Sequence, residues 1–259
     1  MKLDGKVTIV TGGGGGIGRV IALRFIREGA AVVLAGPTEE KIRSVEKEIL
    51  DLNGRVLAVQ MDVASEPDVE RTVAATISTF GRVDILVNNA GIAGPTALVP
   101  NVSLEDWDRT FAVNLTGAFL CAKHVMPYLI EQRSGSILNI TSIAGLQAYA
   151  YRSPYCASKW GMIGLTQTLA QECGQYGVTA NAIAPGPVRG PRIERVIRNR
   201  AEEMKLPYEE VVKQYVEPTA LKRMVEEEDI AAMALFLSCD EGANITGQTI
   251  DISAGYRLS

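Results

Sequence analysis

The chain has 259 residues, 47% of them hydrophobic and 22% charged, with a formal net charge of −4. That size suits one large α/β domain burying about 70–75% of its unfolded surface, and the composition excludes a disordered or collagen-like chain. The mild acidity offers no general footprint for nucleic acid, and the longest unbroken apolar run, IAAMALFL at 230–237, falls well short of the ~18 residues of a membrane span.

The N-terminal MKLDGKVTIVT enters a strand pattern almost directly, without the apolar core or cleavage site of a signal peptide. The expectation is a cytoplasmic protein. Cys121, Cys156, Cys173 and Cys239 are scattered without a CxxC pair, and with the single His124 they make no metal-ligand set. Reduced thiols and a structural His124 fit this pattern.

In chain order, KVTIV, AVVLA, RVLAVQ, DILVN, SILNI, VTANAIA and QTIDI read as seven strands. Helix-length segments separate them, among them EEKIRSVEKEILDL at 39–52 and EPDVERTVAATISTF at 66–80, whose apolar residues recur every three or four positions. Such alternation implies right-handed crossovers and a doubly wound parallel sheet covered on both faces. No repeat, linker or composition shift marks a domain boundary, so residues 1–259 read as one domain. The stretch 186–226 breaks the alternation with a Pro/Gly turn, an arginine-rich segment and a further helical pattern. At the C-terminal edge of the sheet it reads as a small helical substrate lid.

Gly12 to Gly16 form five consecutive glycines between the first strand and the helical pattern IGRVIALRFIREG. In a first βα turn, glycines permit positive φ, close approach of a pyrophosphate to bare backbone, and tight helix-on-strand packing. The turn therefore reads as a dinucleotide cradle.

Thr11, Gly12, Gly16 and Gly18 give the spacing TGxxxGxG. MDV at 61–63, NNAG at 88–91, ITS at 140–142, Tyr155 with Lys159, and PGPV at 185–188 follow in order. Together these motifs resemble the short-chain dehydrogenase/reductase family over nearly the whole chain. The resemblance implies a single Rossmann domain with a seven-stranded parallel sheet, an NAD or NADP cofactor, and a homotetramer with helices around 114–133 and 153–175 at one interface. It implies a small-molecule substrate, while the net charge and the short apolar runs lead to the expectation of no nucleic-acid or membrane partner. Gly12, Gly16, Ile17 and Gly18 would bind the cofactor, Asp62 and Val63 would meet its adenine, and Asn89, Ala90 and Gly91 would line that pocket. Pro185, Gly186 and Val188 would flank the nicotinamide.

Tyr155 and Lys159 are four residues apart, which stacks them on one helical face. A free tyrosine titrates near 10, so using it as a base near neutral pH means favouring the phenolate by about 3–4 kcal/mol. The Lys159 ammonium can supply part of that. The resemblance implies that Lys159 also hydrogen-bonds the cofactor ribose, that Ser142 orients the substrate oxygen, and that Asn114 helps hold a water on a proton relay. Asn114, Ser142, Tyr155 and Lys159 are thus the expected catalytic set. Cys156 should point elsewhere on the helix. The expected reaction is hydride transfer between a nicotinamide cofactor and a secondary alcohol or ketone. A catalytically silent nucleotide-sensing protein on the same fold is the alternative, and an epimerase or dehydratase is less favoured by the chain length and glycine spacing.

Two segments depart from the family pattern. The second strand ends in AGPT at 35–38, with neither the ribose-binding acid nor the arginine of many members, and TGQTIDISAG carries Ser253 and Ala254 at the usual Asp and Gly positions. Thr38, Lys41 and Arg43 tip the expectation slightly toward NADP over NAD; Lys41 and Arg43 as plain solvated helix residues are the alternative. Arg189, Arg192, Arg195 and Arg198 recur every three residues. They are either a solvated or salt-bridged face, or a source of one or two side chains, Arg192 foremost, that grip an anionic substrate with Arg152. A small anionic hydroxy compound is the substrate expected on the second reading.

Overall fold

The computed structural model describes residues 1–256. The β-branched runs form strands β1 (Val7–Thr11), β2 (Ala31–Gly36), β3 (Val56–Gln60), β4 (Ile85–Asn88), β5 (Gly135–Ile140), β6 (Val178–Pro185) and β7 (Thr249–Ile252). They make one seven-stranded sheet in the order β3-β2-β1-β4-β5-β6-β7, with every neighbouring pair parallel. This is the doubly wound sheet that the alternation predicts.

The intervening segments form α1 (Gly16–Arg27), α2 (Glu39–Asp51), α3 (Glu66–Phe80), α4 (Leu104–Phe111), α5 (Gly117–Gln132) and α6 (Ser153–Cys173). Beyond β6 come α7 (Pro191–Met204), α8 (Tyr208–Val216) and α9 (Glu227–Ser238). Local chemistry sets several boundaries: acids Glu39 and Glu40 lie in the first turn of α2, Pro154 in the first turn of α6, and a Glu226/Asp229 capping box begins α9.

Successive strand residues point to opposite faces. Val10 and Leu34 pack with Ile21, Phe25, Ile42 and Leu235 on the face covered by α1, α2 and α9, whereas Ile9 and Val33 pack with Val73, Val125, Leu129 and Leu169 under α3, α5 and α6. A separate small cluster of Ile197, Ala201 and Val211 holds α7 to α8. The sheet order reverses direction between β1 and β4, which places a crevice at their C-terminal ends. No helix among the described residues is long and apolar enough to cross a membrane.

Candidate active site

A cavity of about 690 Å³ occupies that crevice. One wall is the glycine turn, where Gly12 and Gly16 have φ of +66° and +54°. Gly15 precedes α1 and supplies no side-chain cap, so the first-turn N–H groups of the helix are left for an anion at the cavity wall. A Cβ on Gly18 would stand 2.5 Å from the Gly12 carbonyl oxygen and from Asn89 Nδ2. Gly18 therefore allows close packing behind the cradle and does not itself line the cavity.

β4 secures the turn from the other side. The Asn89 amide donates to the carbonyls of Thr11 and Gly12 at 2.9 and 3.3 Å, while Thr11 Oγ1 accepts the backbone N–H groups of Asn89 and Ala90, each at 3.0 Å. Ile17, Asn89, Ala90 and Gly91 all line the cavity, as do Pro185, Gly186 and Val188. At the end of β2, Gly36, Pro37, Thr38 and Lys41 extend the wall. Arg43 does not reach it and pairs instead with Glu39 and Glu46 on α2. These residues fit a dinucleotide: bare backbone and helix N–H groups at the turn, and a cleft running from β2 toward α6.

At the α6 end, Ser142, Tyr155, Lys159 and Arg152 share the cavity. Ser142 leaves β5 into a turn over 143–145, its Oγ accepting the Ala144 N–H at 3.1 Å. That turn lies tightly on α6, because Thr141 Oγ1 donates to the Lys159 carbonyl at 2.9 Å and a Cβ on Gly145 would come within 2.7 Å of the same oxygen. Lys159 is buried and donates from Nζ to the Ile140 carbonyl at 2.8 Å. Burial pushes its ammonium down to about 8, the Tyr155 hydroxyl raises it, and Arg192 lowers it. For Tyr155, burial would raise the phenol, but the charges of Arg192 and Lys159, the Ser142 hydroxyl and the charge of Arg152 outweigh it and hold the group below 10. The arrangement can give up or take a proton at the Tyr155 oxygen.

Asn114 stands behind this group. It lies in a π turn over 112–116 in which the Gly117 N–H reaches back to the Ala112 carbonyl. Its Oδ1 accepts the Ile92 N–H at 2.8 Å, and Nδ2 donates to the Ile92 carbonyl and to Ser158 Oγ, each at 3.1 Å. Asn114 and Lys159 both lie against Gly91: a Cβ there would meet Asn114 Oδ1 at 3.2 Å and Lys159 Nζ at 3.6 Å. Asp62 and Val63 also stand outside the cavity lining. Asp62 accepts the Ala64 N–H at 2.9 Å and faces Arg109 at 3.4 Å, while Val63 packs 2.8 Å from where a Gly117 Cβ would be.

The four arginines divide. Arg189, Arg192 and Arg195 line the cavity, Arg189 also pairing with Glu226, whereas Arg198 stands outside the lining and faces Glu194. α7 begins at Pro191, so Arg189 precedes the helix, and a three-residue step turns each later arginine about 60° away from the one before. One face therefore cannot hold all four. Cys156 is buried away from the cavity, and the four cysteines are free. His124 approaches Glu66 at 3.0 Å on α5, far from this chemistry. Tyr149, Tyr215 and Glu227 complete the lining without any sequence signal, since they come from three separate elements and only the tertiary fold brings them together.

The family model described as short chain dehydrogenase matches residues 6–201. The chain is 37% identical over 255 residues to 3-oxoacyl-(acyl-carrier-protein) reductase of Thermotoga maritima, covering 98% of this chain and 99% of that protein. It is 33% identical over 256 residues to levodione reductase of Leifsonia aquatica, covering 98% and 95%. A structure of NAD+-bound xylitol dehydrogenase matches with TM-score 0.96 at 32% identity over 98% of this chain and all of that one. An actinorhodin polyketide ketoreductase structure with NADPH matches with TM-score 0.93 at 33% identity over 98% of each chain.

Proposed function

We propose, from the premise that the chain belongs to the short-chain dehydrogenase family, that it interconverts a secondary alcohol and a ketone, with Tyr155 as the proton-transferring group. The observation that carries this reading is the continuity of one cavity from the glycine turn to Tyr155, whose phenol is held below 10 by surrounding positive charge. A bound nicotinamide dinucleotide supplies or accepts the hydride. Gly12, Gly16, Ile17, Asn89, Ala90, Gly91, Pro185, Gly186 and Val188 would hold that cofactor, with Gly18, Asp62 and Val63 shaping the wall behind it.

In oxidation, the Tyr155 phenolate takes the hydroxyl proton of the alcohol; in reduction, the neutral phenol returns it. Ser142 hydrogen-bonds the reacting oxygen without changing charge. Lys159 stabilises the phenolate and keeps N–H groups for the cofactor ribose, and Asn114 fixes the chain around Lys159 so that a proton can pass toward solvent. A catalytically silent nucleotide sensor would need none of the positive charge focused on the Tyr155 phenol.

Thr38 and Lys41 at the end of β2, with no acid beside them in the cavity wall, favour NADP slightly over NAD. Helices α7 and α8 act as the substrate lid of a single domain over residues 1–259. Phe119 on α5 and Trp160 on α6, 48% and 53% exposed, suit burial between subunits of a homotetramer, and the free buried thiols suit a cytoplasmic enzyme. On the substrate side, Arg152 and Arg192 favour a small anionic hydroxy compound. The test is a panel of charged and neutral secondary alcohols and ketones followed by the absorbance of the reduced nicotinamide with each cofactor. Turnover of secondary alcohols or ketones supports the reading, and cofactor binding without turnover across the panel supports the sensor.

A further inference from the structure

Arg152 is 7% exposed, and among the described residues no carboxylate pairs with its guanidinium. It lines the cavity with its Cζ 4.8 Å from the Tyr155 ring centroid. The face of the Tyr155 ring meets one side of this cation, and with no carboxylate beside it the charge stays uncompensated until an anion joins it. Its neighbours make the demand stronger. Arg192 reaches across from α7, with Nη1 donating to the Gly91 carbonyl at 3.2 Å, and no carboxylate among the described residues pairs with it. Each guanidinium raises the cost of the other. The carboxylate in the cavity lining, Glu227, has its Oε1 3.5 Å from the position of a Gly16 Cβ and 3.4 Å from that of a Gly190 Cβ, and it pairs with neither guanidinium.

We propose that Arg152 and Arg192 form an anion subsite beside Tyr155, and that the substrate carries a carboxylate or sulfonate one or two carbons from its reacting carbon. This rests on the alcohol/ketone reading above and narrows it to short 2- or 3-hydroxy acids, their sulfonate counterparts and the matching ketones. Distance sets the spacing. The Arg152 Cζ lies 4.8 Å from the Tyr155 ring centroid, so the cation sits beside the phenol itself, and a substrate held by hydrogen bonds of about 3 Å at each joins the two with a short carbon chain. The guanidinium fork of Arg152 suits two parallel bonds to such a group, and Arg192 can close over it from α7.

The experiment compares kcat/KM for 3-hydroxybutanoate, 3-hydroxybutanamide, a 2-hydroxypropane-1-sulfonate and the long-spaced 6-hydroxyheptanoate, in the wild type, Arg152→Met, Arg152→Lys and Arg192→Ala. The proposal expects the short anions to exceed the amide and the long acid by at least 100-fold. It expects the ratio of short anion to amide to fall at least 30-fold in Arg152→Met, less in Arg152→Lys, and at least 10-fold in Arg192→Ala. Purely structural damage lowers both members of the ratio together and leaves it unchanged, which overturns the proposal. The carboxylate-to-sulfonate ratio in the wild type identifies which anion the fork prefers.

A second readout is independent of turnover. Short hydroxy acid added to the wild type with cofactor should raise the melting temperature, and the rise should be lost in Arg192→Ala, a change at an exposed residue. A rise with no turnover of any alcohol or ketone upholds the subsite and overturns the hydride-transfer reading. Turnover with no preference for short anions and no rise upholds hydride transfer and overturns the subsite.

Discussion

Lys159 Nζ stands 5.9 Å from the Tyr155 ring centroid while anchored at 2.8 Å to the Ile140 carbonyl, the last residue of β5. The helix supplies the four-residue spacing and the strand supplies the anchor, so sheet and helix together fix the ammonium under the phenol. Lys159→Ala should lower kcat at least 100-fold and weaken cofactor binding at least 10-fold, read by turnover and by quenching of reduced-nicotinamide fluorescence. Unchanged affinity would remove the proposed ribose contact.

The lowered Tyr155 phenol sets a pH dependence. For alcohol oxidation the phenolate is the base, so kcat/KM should rise with pH through a group titrating below 10. Ketone reduction needs the protonated phenol and should fall through the same group. Arg192→Ala removes a positive charge that favours the phenolate, so the midpoint should move to higher pH in both directions. A profile unmoved by that substitution contradicts the electrostatic account.

Cofactor choice turns on the end of β2. Thr38 and Lys41 line the cavity and Arg43 is tied to Glu39 and Glu46, so Lys41 is the cation available to a 2′-phosphate. Comparing kcat/KM for the two cofactors should show a modest preference for NADP, reduced by Lys41→Ala. A preference for NAD above about 100-fold, or ~2.7 kcal/mol, would reject this assignment.

Two glycines of the cradle should behave differently. Gly18→Ala places a Cβ 2.5 Å from the Gly12 carbonyl oxygen, where backbone must shift, and should lower stability by about 1–3 kcal/mol. A Cβ on Gly15 meets nothing within 4 Å and its φ of 170° is ordinary extended backbone. Gly15→Ala should leave the melting temperature nearly unchanged while weakening cofactor binding at the cavity wall. Thermal denaturation and cofactor titration of both variants check the contrast.

The strands, the sheet class and the cradle were legible because β-branched runs and glycine spacing are local signals. The Tyr155–Lys159 pairing was legible because four residues make about one helical turn. What escaped depends on tertiary placement. Nothing local distinguishes Arg192 and Arg195 from Arg189 and Arg198: the helix start at Pro191 and the acids Glu226 and Glu194 decide which go without a carboxylate partner. Tyr149 and Tyr215 reach the site from a loop and from α8, and Glu227 sits in an acidic run that reads as solvated surface. The π turn around Asn114 likewise has no period of its own in the sequence.

The central claim is that Tyr155 moves the proton while a secondary alcohol and a ketone interconvert. Its most direct test is Tyr155→Phe, which deletes one hydroxyl and little volume, assayed by reduced-nicotinamide absorbance on the best wild-type substrate with cofactor affinity measured in parallel. The account predicts turnover reduced at least 1,000-fold with affinity within about three-fold of wild type, a loss of about 4 kcal/mol in transition-state stabilisation. Near wild-type turnover in the folded variant would contradict it.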